Sequence, residues 1–178
     1  MPNYNVFGNL REPVVYQDIS AASAQNGVNY RITTGIVAVA ANSYLAIQLD
    51  NPSSSRYTAR IGRIFGGALS NTAVYLMRGG TIAGGITLQP VNTNFGFTNA
   101  SQLIPTFTNT TGGAGSNPAV GSTTFSTIIQ ATGPIDNDEI GKIIVPPNTR
   151  LIVNLQSLAG GTNTLAITIG WAEVSPVS

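Results

Sequence analysis

The stretch Thr164-Leu165-Ala166-Ile167-Thr168-Ile169-Gly170-Trp171-Ala172-Glu173 decides the fold. Leu165, Ile167, Ile169 and Trp171 take every second position, and Thr164, Ala166, Thr168 and Gly170 fill the places between. Successive side chains on an extended chain point to opposite faces, so this segment reads as a strand with one face in a core. Trp171 is the single tryptophan and has the inward parity. Its position argues for core packing rather than a sugar-stacking platform.

The same alternation runs through Tyr44–Asp50 (Leu45, Ile47, Leu49 inward) and Arg150–Gln156 (Leu151, Val153, Leu155 inward). Further strands are expected at 28–34, 36–40, 56–65, 73–78, 82–88, 101–108, 123–132 and 140–145. Residues 18–25 suit a short helical turn capped by Asp18 or Ser20. Nowhere do apolar residues sustain a helical spacing of three and four. Turn residues are dense: Asn51-Pro52-Ser53, Gly66-Gly67, Gly79-Gly80, Gly84-Gly85, Gly133-Pro134, Pro146-Pro147-Asn148 and Gly160-Gly161. Eight to ten half-buried antiparallel strands with long connections predict an all-β sandwich of jelly-roll type over residues 20–178. Residues 109–122, rich in Gly, Thr, Ser and Asn, read as an exposed loop that buries nothing.

Composition narrows the chemistry. The 178 residues include no histidine, no cysteine and one lysine, Lys142, with eight basic and seven acidic side chains and a net charge of +1. Imidazole and thiolate, the usual proton shuttle and soft nucleophile, are therefore missing, and no Ser-His-Asp or Cys-His arrangement exists. Lys142 leads into an apolar run and is read as structural. Gly79–Gly85 lacks the Gly-Lys-Ser/Thr of a phosphate loop and precedes no helix. No enzymatic activity and no cofactor are expected.

Asp136-Asn137-Asp138-Glu139 is the one acidic cluster. Its position after Gly133-Pro134 predicts a solvated turn, with Asp136, Asp138 and Glu139 as a minor Ca²⁺ candidate. Arg56, Arg60 and Arg63 are the densest basic group, and the parity of Arg56 and Arg60 suggests one solvated strand face. Scattered charge argues against nucleic acid as a partner. No apolar run approaches the roughly 20 residues of a membrane helix, and the first residues carry no secretion signal. Tyr75, Phe95, Phe97 and Phe107 form an aromatic region that nothing in the sequence separates from core. A mean hydropathy of +0.16 with so little charge favours self-association.

Residues 1–19 read as an extension. Tyr4, Val6, Gly8 and Leu10 alternate with Asn3, Asn5, Phe7 and Asn9 until Arg11-Glu12-Pro13 breaks the run. Such an arm is either a first strand or tail of its own domain, or a donor strand for an open sheet edge on a neighbouring copy. In the second case Tyr4, Val6, Phe7 and Leu10 form the subunit contact.

The run Ile143-Ile144-Val145-Pro146-Pro147-Asn148-Thr149-Arg150-Leu151-Ile152-Val153, followed by Ile167-Thr168-Ile169-Gly170-Trp171-Ala172-Glu173, resembles the last strands of small jelly-roll structural proteins of spore-forming Firmicutes and their phages. Endospore-appendage subunits are similar in general plan: a jelly roll whose N-terminal connector docks into the next subunit. The resemblance implies a homo-oligomeric, extracellular or spore-surface fibre of pilus or appendage type, forming a helical filament. A virion structural protein is the alternative, and a carbohydrate-binding β-sandwich a third. The best-known appendage subunits cross-link through cysteines. This chain has none, so any fibre it forms rests on strand pairing and packing.

Overall fold

The computed structural model describes residues 19–110 and 117–175. A short helix, α1 (Ile19–Gln25), comes first, at the place expected from the sequence. Strands follow as β1 (Asn29–Thr33), β2 (Val37–Val39), β3 (Tyr44–Asn51), β4 (Thr58–Ala68) and β5 (Thr72–Arg78). A run of short pieces comes next: β6 (Thr81–Ile82), β7 (Ile86–Thr87), β8 (Val91–Asn92), β9 (Ile104–Asn109) and β10 (Ala119–Val120). Four long strands complete the chain: β11 (Thr123–Gln130), β12 (Gly133–Val145), β13 (Thr149–Ser157) and β14 (Asn163–Val174).

These strands form two antiparallel sheets that share one core. One sheet runs β12-β4-β14-β1-β8, with β2 also paired to β14; the other runs β11-β5-β13-β3-β9-β7. A separate two-stranded piece joins β6 to β10. The long strands pair in nested fashion: β1 with β14, β3 with β13, β4 with β12, and β5 with β11. The core between the sheets is built from the predicted alternations. Leu165, Ile167, Ile169 and Trp171 of β14 meet Leu45, Ile47 and Leu49 of β3 and Leu151, Val153 and Leu155 of β13 in one buried cluster. Burying each such Leu or Ile contributes roughly 1.5–3 kcal/mol. Trp171 is wholly buried and stacks on Tyr30 with ring centroids 6.1 Å apart.

Three expectations need correction. The central strands β3 and β13 of the second sheet are not half-buried: Ala46, Ile152 and Asn154 point away from the core yet are fully buried. The β6–β10 piece covers them, with the Ile82 N–H donating to Gln48 Oε1 at 3.0 Å and Asn154 Nδ2 donating to Asn117 Oδ1 at 2.8 Å. The region expected as a loop that buries nothing therefore contributes cover, and Pro118 within it is buried.

The acidic run 136–139 is not a turn but lies inside β12. The turn follows it directly, where Ile140 (φ +48°) and Gly141 (φ +75°) adopt the left-handed conformation. Residues 139–142 of β12 there stand opposite the single residue Gly62 of β4, since Asp138 pairs with Arg63 and Ile143 with Ile61.

The third correction concerns the arginines. Opposite β14, the register of β4 slips by one residue between Arg63 and Ile61. Such a bulge reverses the facing of everything beyond it. Ile61 and Ile64 are thereby both buried, while Arg60 and Arg63 come to share the outer face, paired with Ala172 and Gly170 of β14. Arg56 precedes the strand altogether.

Candidate assembly surface

The connection from β5 to β11, residues 79–122, determines which sides of the sandwich stay open. Its β8 segment pairs with the outer edge of β1, Asn92 opposite Tyr30 and Val91 opposite Arg31. Asn92 Nδ2 extends that contact by donating to the Gly27 carbonyl at 2.7 Å, and the Thr93 N–H donates to the Asn29 carbonyl at 2.9 Å. Its β9 segment adds a strand beside β3, and β7 covers part of β9 in turn. One flank of the sandwich is thus closed by short strands laid along both sheets.

A buried carboxylate holds the closing loop in place. Glu173 is 4% exposed. It accepts a hydrogen bond from the Ser101 hydroxyl, from the Gln102 N–H at 3.1 Å to both oxygens, and from Trp171 Nε1 at 3.2 Å. Desolvation, and then the nearby Glu173 charge, hold the pKa of the Tyr30 phenol above its ordinary value. A buried charge is tolerable only when its lone pairs are so occupied. The cost of burial here secures residues 94–103 against the end of β14. That loop carries Phe95 and Phe97, 90% and 41% exposed. The other two residues of the aromatic region lie elsewhere: Phe107 packs against the core and Tyr75 Oη donates to Gln156 Oε1 at 3.0 Å.

The opposite flank is open. There β11 and β12 are the outer strands of the two sheets, and neither has a second strand partner among the described residues. The two edges differ in chemistry. β12 carries Pro134, Asp136, Asp138, Glu139 and Lys142 as well as the turn at 140–141, all devices that discourage pairing with another strand. β11 reads Thr-Thr-Phe-Ser-Thr-Ile-Ile-Gln, with no charge and no proline over eight residues; its one irregularity is a register shift against β5 at Phe125, between Thr124 and Ser126. Phe125 and Ile129 on it are 52% and 69% exposed. Ile128 of β11 and Ile143 of β12 pack on the core but are only partly covered. At one end of this flank, where β12 runs into β13, lies a groove of about 490 Å³, lined by Phe125 of β11, Ile143, Ile144, Pro146 and Leu151, together with Arg78, Lys142 and Arg150.

The sequence-predicted site residues fall in different places. Tyr4, Val6, Phe7 and Leu10 lie outside the described residues. Asp136 and Asp138 both oppose outer-face residues of β4, Phe65 and Arg63. Arg63 grips Asp136 through two parallel hydrogen bonds, Nε to Oδ1 at 2.7 Å and Nη2 to Oδ2 at 2.5 Å. That contact holds the Asp136 carboxyl below the usual carboxylate range. Glu139 instead accepts from Asn137 Nδ2 at 2.7 Å. Among the described residues no group of three His, Cys, Asp or Glu is placed to hold a metal ion. On the same face Arg31 and Arg63 lie 5.8 and 5.3 Å from the Phe65 ring centre. Their positive charge is partly spent on Asp136 and the aromatic ring, which suits a mixed-charge face rather than a polyanion tract.

Comparison of the chain with family models, with curated proteins and with solved structures finds no match. No described helix is long and apolar enough to cross a membrane.

Sequence reading did not find the open flank. Which strands lie at sheet edges depends on pairing between distant segments, and apart from β9 the long β5–β11 connection carries two-residue strands that no periodicity test detects. The uncharged run Thr123–Gln130 beside the charged Asp136–Lys142 was the available signal.

Proposed function

We propose that this chain is the self-assembling structural subunit of an extracellular fibre of pilus or spore-appendage type. It polymerises without covalent links by donating its N-terminal strand to a neighbouring subunit. The observation that carries this reading is the asymmetry of the sandwich: one flank is sealed by short strands, whereas the other ends in an uncharged eight-residue edge. An open edge with apolar side chains is a template for another strand, and proteins that remain monomeric blunt it. A donated arm satisfies the edge through backbone hydrogen bonds and fills the flank with alternate side chains. Such a head-to-tail contact does not close on itself and so builds a filament.

The finer architecture belongs to the same proposal. The nested pairs β1·β14, β3·β13, β4·β12 and β5·β11 are those of a single long hairpin rolled up into two sheets, the arrangement of a jelly roll. That fold suits stacking of identical units because both sheets end in edges along the same flank.

Negative-stain microscopy of the purified full chain, with and without residues 1–12, tests the function. Open filaments from the full chain and their loss on deletion are expected. Filaments that persist after deletion overturn strand donation, and closed rings or trimers from the full chain favour a virion protein instead.

A further inference from the structure

We infer that the acceptor of the arm is the free edge of β11, with the partly covered core beside Ile128 receiving its inward side chains. This rests on the strand-donation reading and makes it specific. The occupant is residues 3–10 of a second copy. Four features of the chain and its fold converge on this pairing.

The first is length. Asn3–Leu10 spans eight residues before Arg11-Glu12-Pro13, and β11 offers eight residues, Thr123–Gln130. Both segments extend to about 26 Å at 3.3 Å per residue. The second is charge: neither segment carries any, so no ion is desolvated when they pair. By contrast, an arm on β12 would run along Pro134, Asp136, Asp138, Glu139 and Lys142 and across a turn.

The third is the state of the core at this flank. Ile128 and Ile143 face the interior but are only partly covered, and the groove lined by Phe125, Ile143, Ile144 and Pro146 opens beyond Ile128, toward the start of β11. A strand added to β11 with Phe7 opposite Thr127 sets Val6 beside Ile128 and Tyr4 beside Gln130 on the core side, while Leu10 falls past the register shift at Phe125. The fourth is polarity. In an antiparallel pairing, Leu10 lies at the Thr123 end of β11, which is itself paired with Arg78. Glu12, two residues on, then meets the cationic rim formed by Arg78 and Lys142.

The absence of cysteine from the native chain makes the test direct. Phe7→Cys is combined in the full chain with Thr127→Cys or Ile129→Cys on β11. In a matched set it is combined with Ile144→Cys on β12, which is comparably exposed. After mild oxidation, non-reducing gels are expected to show a ladder of head-to-tail oligomers from at least one β11 pair, about tenfold more abundant than from the β12 pair. Cross-linking confined to the β12 pair overturns β11 as acceptor but leaves strand donation standing. A cross-linked monomer whose yield is independent of protein concentration means that the arm folds back on its own subunit, which overturns the inference. If no pair cross-links and filaments survive deletion of residues 1–12, strand donation itself fails.

Discussion

Replacing Glu173 tests the clasp between β14 and the loop that seals the closed flank. In Glu173→Leu the side chain keeps its approximate volume but loses every acceptor. Trp171 Nε1, at the centre of the core, is left without a partner, and the donors of Ser101 and Gln102 lose theirs. A buried donor left unpaired costs about 1–3 kcal/mol, and hydrogen bonds to a charged group about 1.5–3 kcal/mol each. Ser101 and Gln102 are near enough to the surface to recruit water, so Trp171 bears the largest single share of the penalty. The expected loss is about 3–4 kcal/mol for Glu173→Leu. For Glu173→Gln it is about 1 kcal/mol, because one oxygen remains and Gln102 N–H lies equally close to both positions. Urea unfolding of the chain lacking residues 1–12, followed by circular dichroism, measures both. The midpoint should fall with the slope unchanged. In a Trp171→Phe background the cost of Glu173→Leu should shrink by about 1–2 kcal/mol, since the stranded donor is gone. If Glu173→Leu stays within 0.5 kcal/mol of wild type, a threshold set by the usual scatter of surface substitutions at about that size, the clasp does not hold the loop.

Gly66 is squeezed between β12 and β14, where a Cβ would lie 1.9 Å from the Ala166 carbonyl oxygen. Gly66→Ala should therefore destabilise by about 3 kcal/mol, read as a lowered thermal midpoint. Ile140, a β-branched residue at φ +48° and 60% exposed, should be improved by Ile140→Asn. A gain of about 1 kcal/mol in urea unfolding is expected, because Asn tolerates this conformation at less cost. The Arg63–Asp136 pair sets an acid response. Because the folded carboxyl is held below its unfolded value, its stabilisation is complete above the unfolded value and lost as pH falls through the folded one. The thermal midpoints of wild type and Asp136→Asn should differ at neutral pH and converge from about pH 4 downward; a constant gap would contradict the pairing.

The strands were legible wherever one face meets the core and the other meets solvent. Leu165 to Trp171, Leu45 to Leu49 and Leu151 to Leu155 gave their register through alternation alone. Legibility failed for three physical reasons. A bulge of one residue in β4 moved Arg60 and Arg63 onto a common face, and no local signal marks it beyond Gly62. The cover over Ile152 and Asn154 comes from β6 and β10, two residues each, whose pairing is a tertiary event. Asp136–Glu139 looked like a turn because Gly133-Pro134 precedes it, whereas Pro134 sits on the outer strand of the sheet, where a missing N–H is harmless. The closed flank was equally hidden, because Glu173 was read only as the end of a strand. Its role depends on Ser101 and Gln102, some seventy residues earlier.

The position of β14 has a consequence for folding. Of the described strands it is the last in sequence, yet it lies between β4 and β1 at the centre of its sheet, with β2 also paired to its first residues. Until it is in place, β1 and β4 have no common neighbour and that half of the protein cannot close. β5, which positions β11, pairs on its other side with β13, and both precede β14 in the sequence. The open edge of β11 can thus be laid down before β14 completes the facing sheet. The insertion of β14 is then the step that separates completed units from half-built ones.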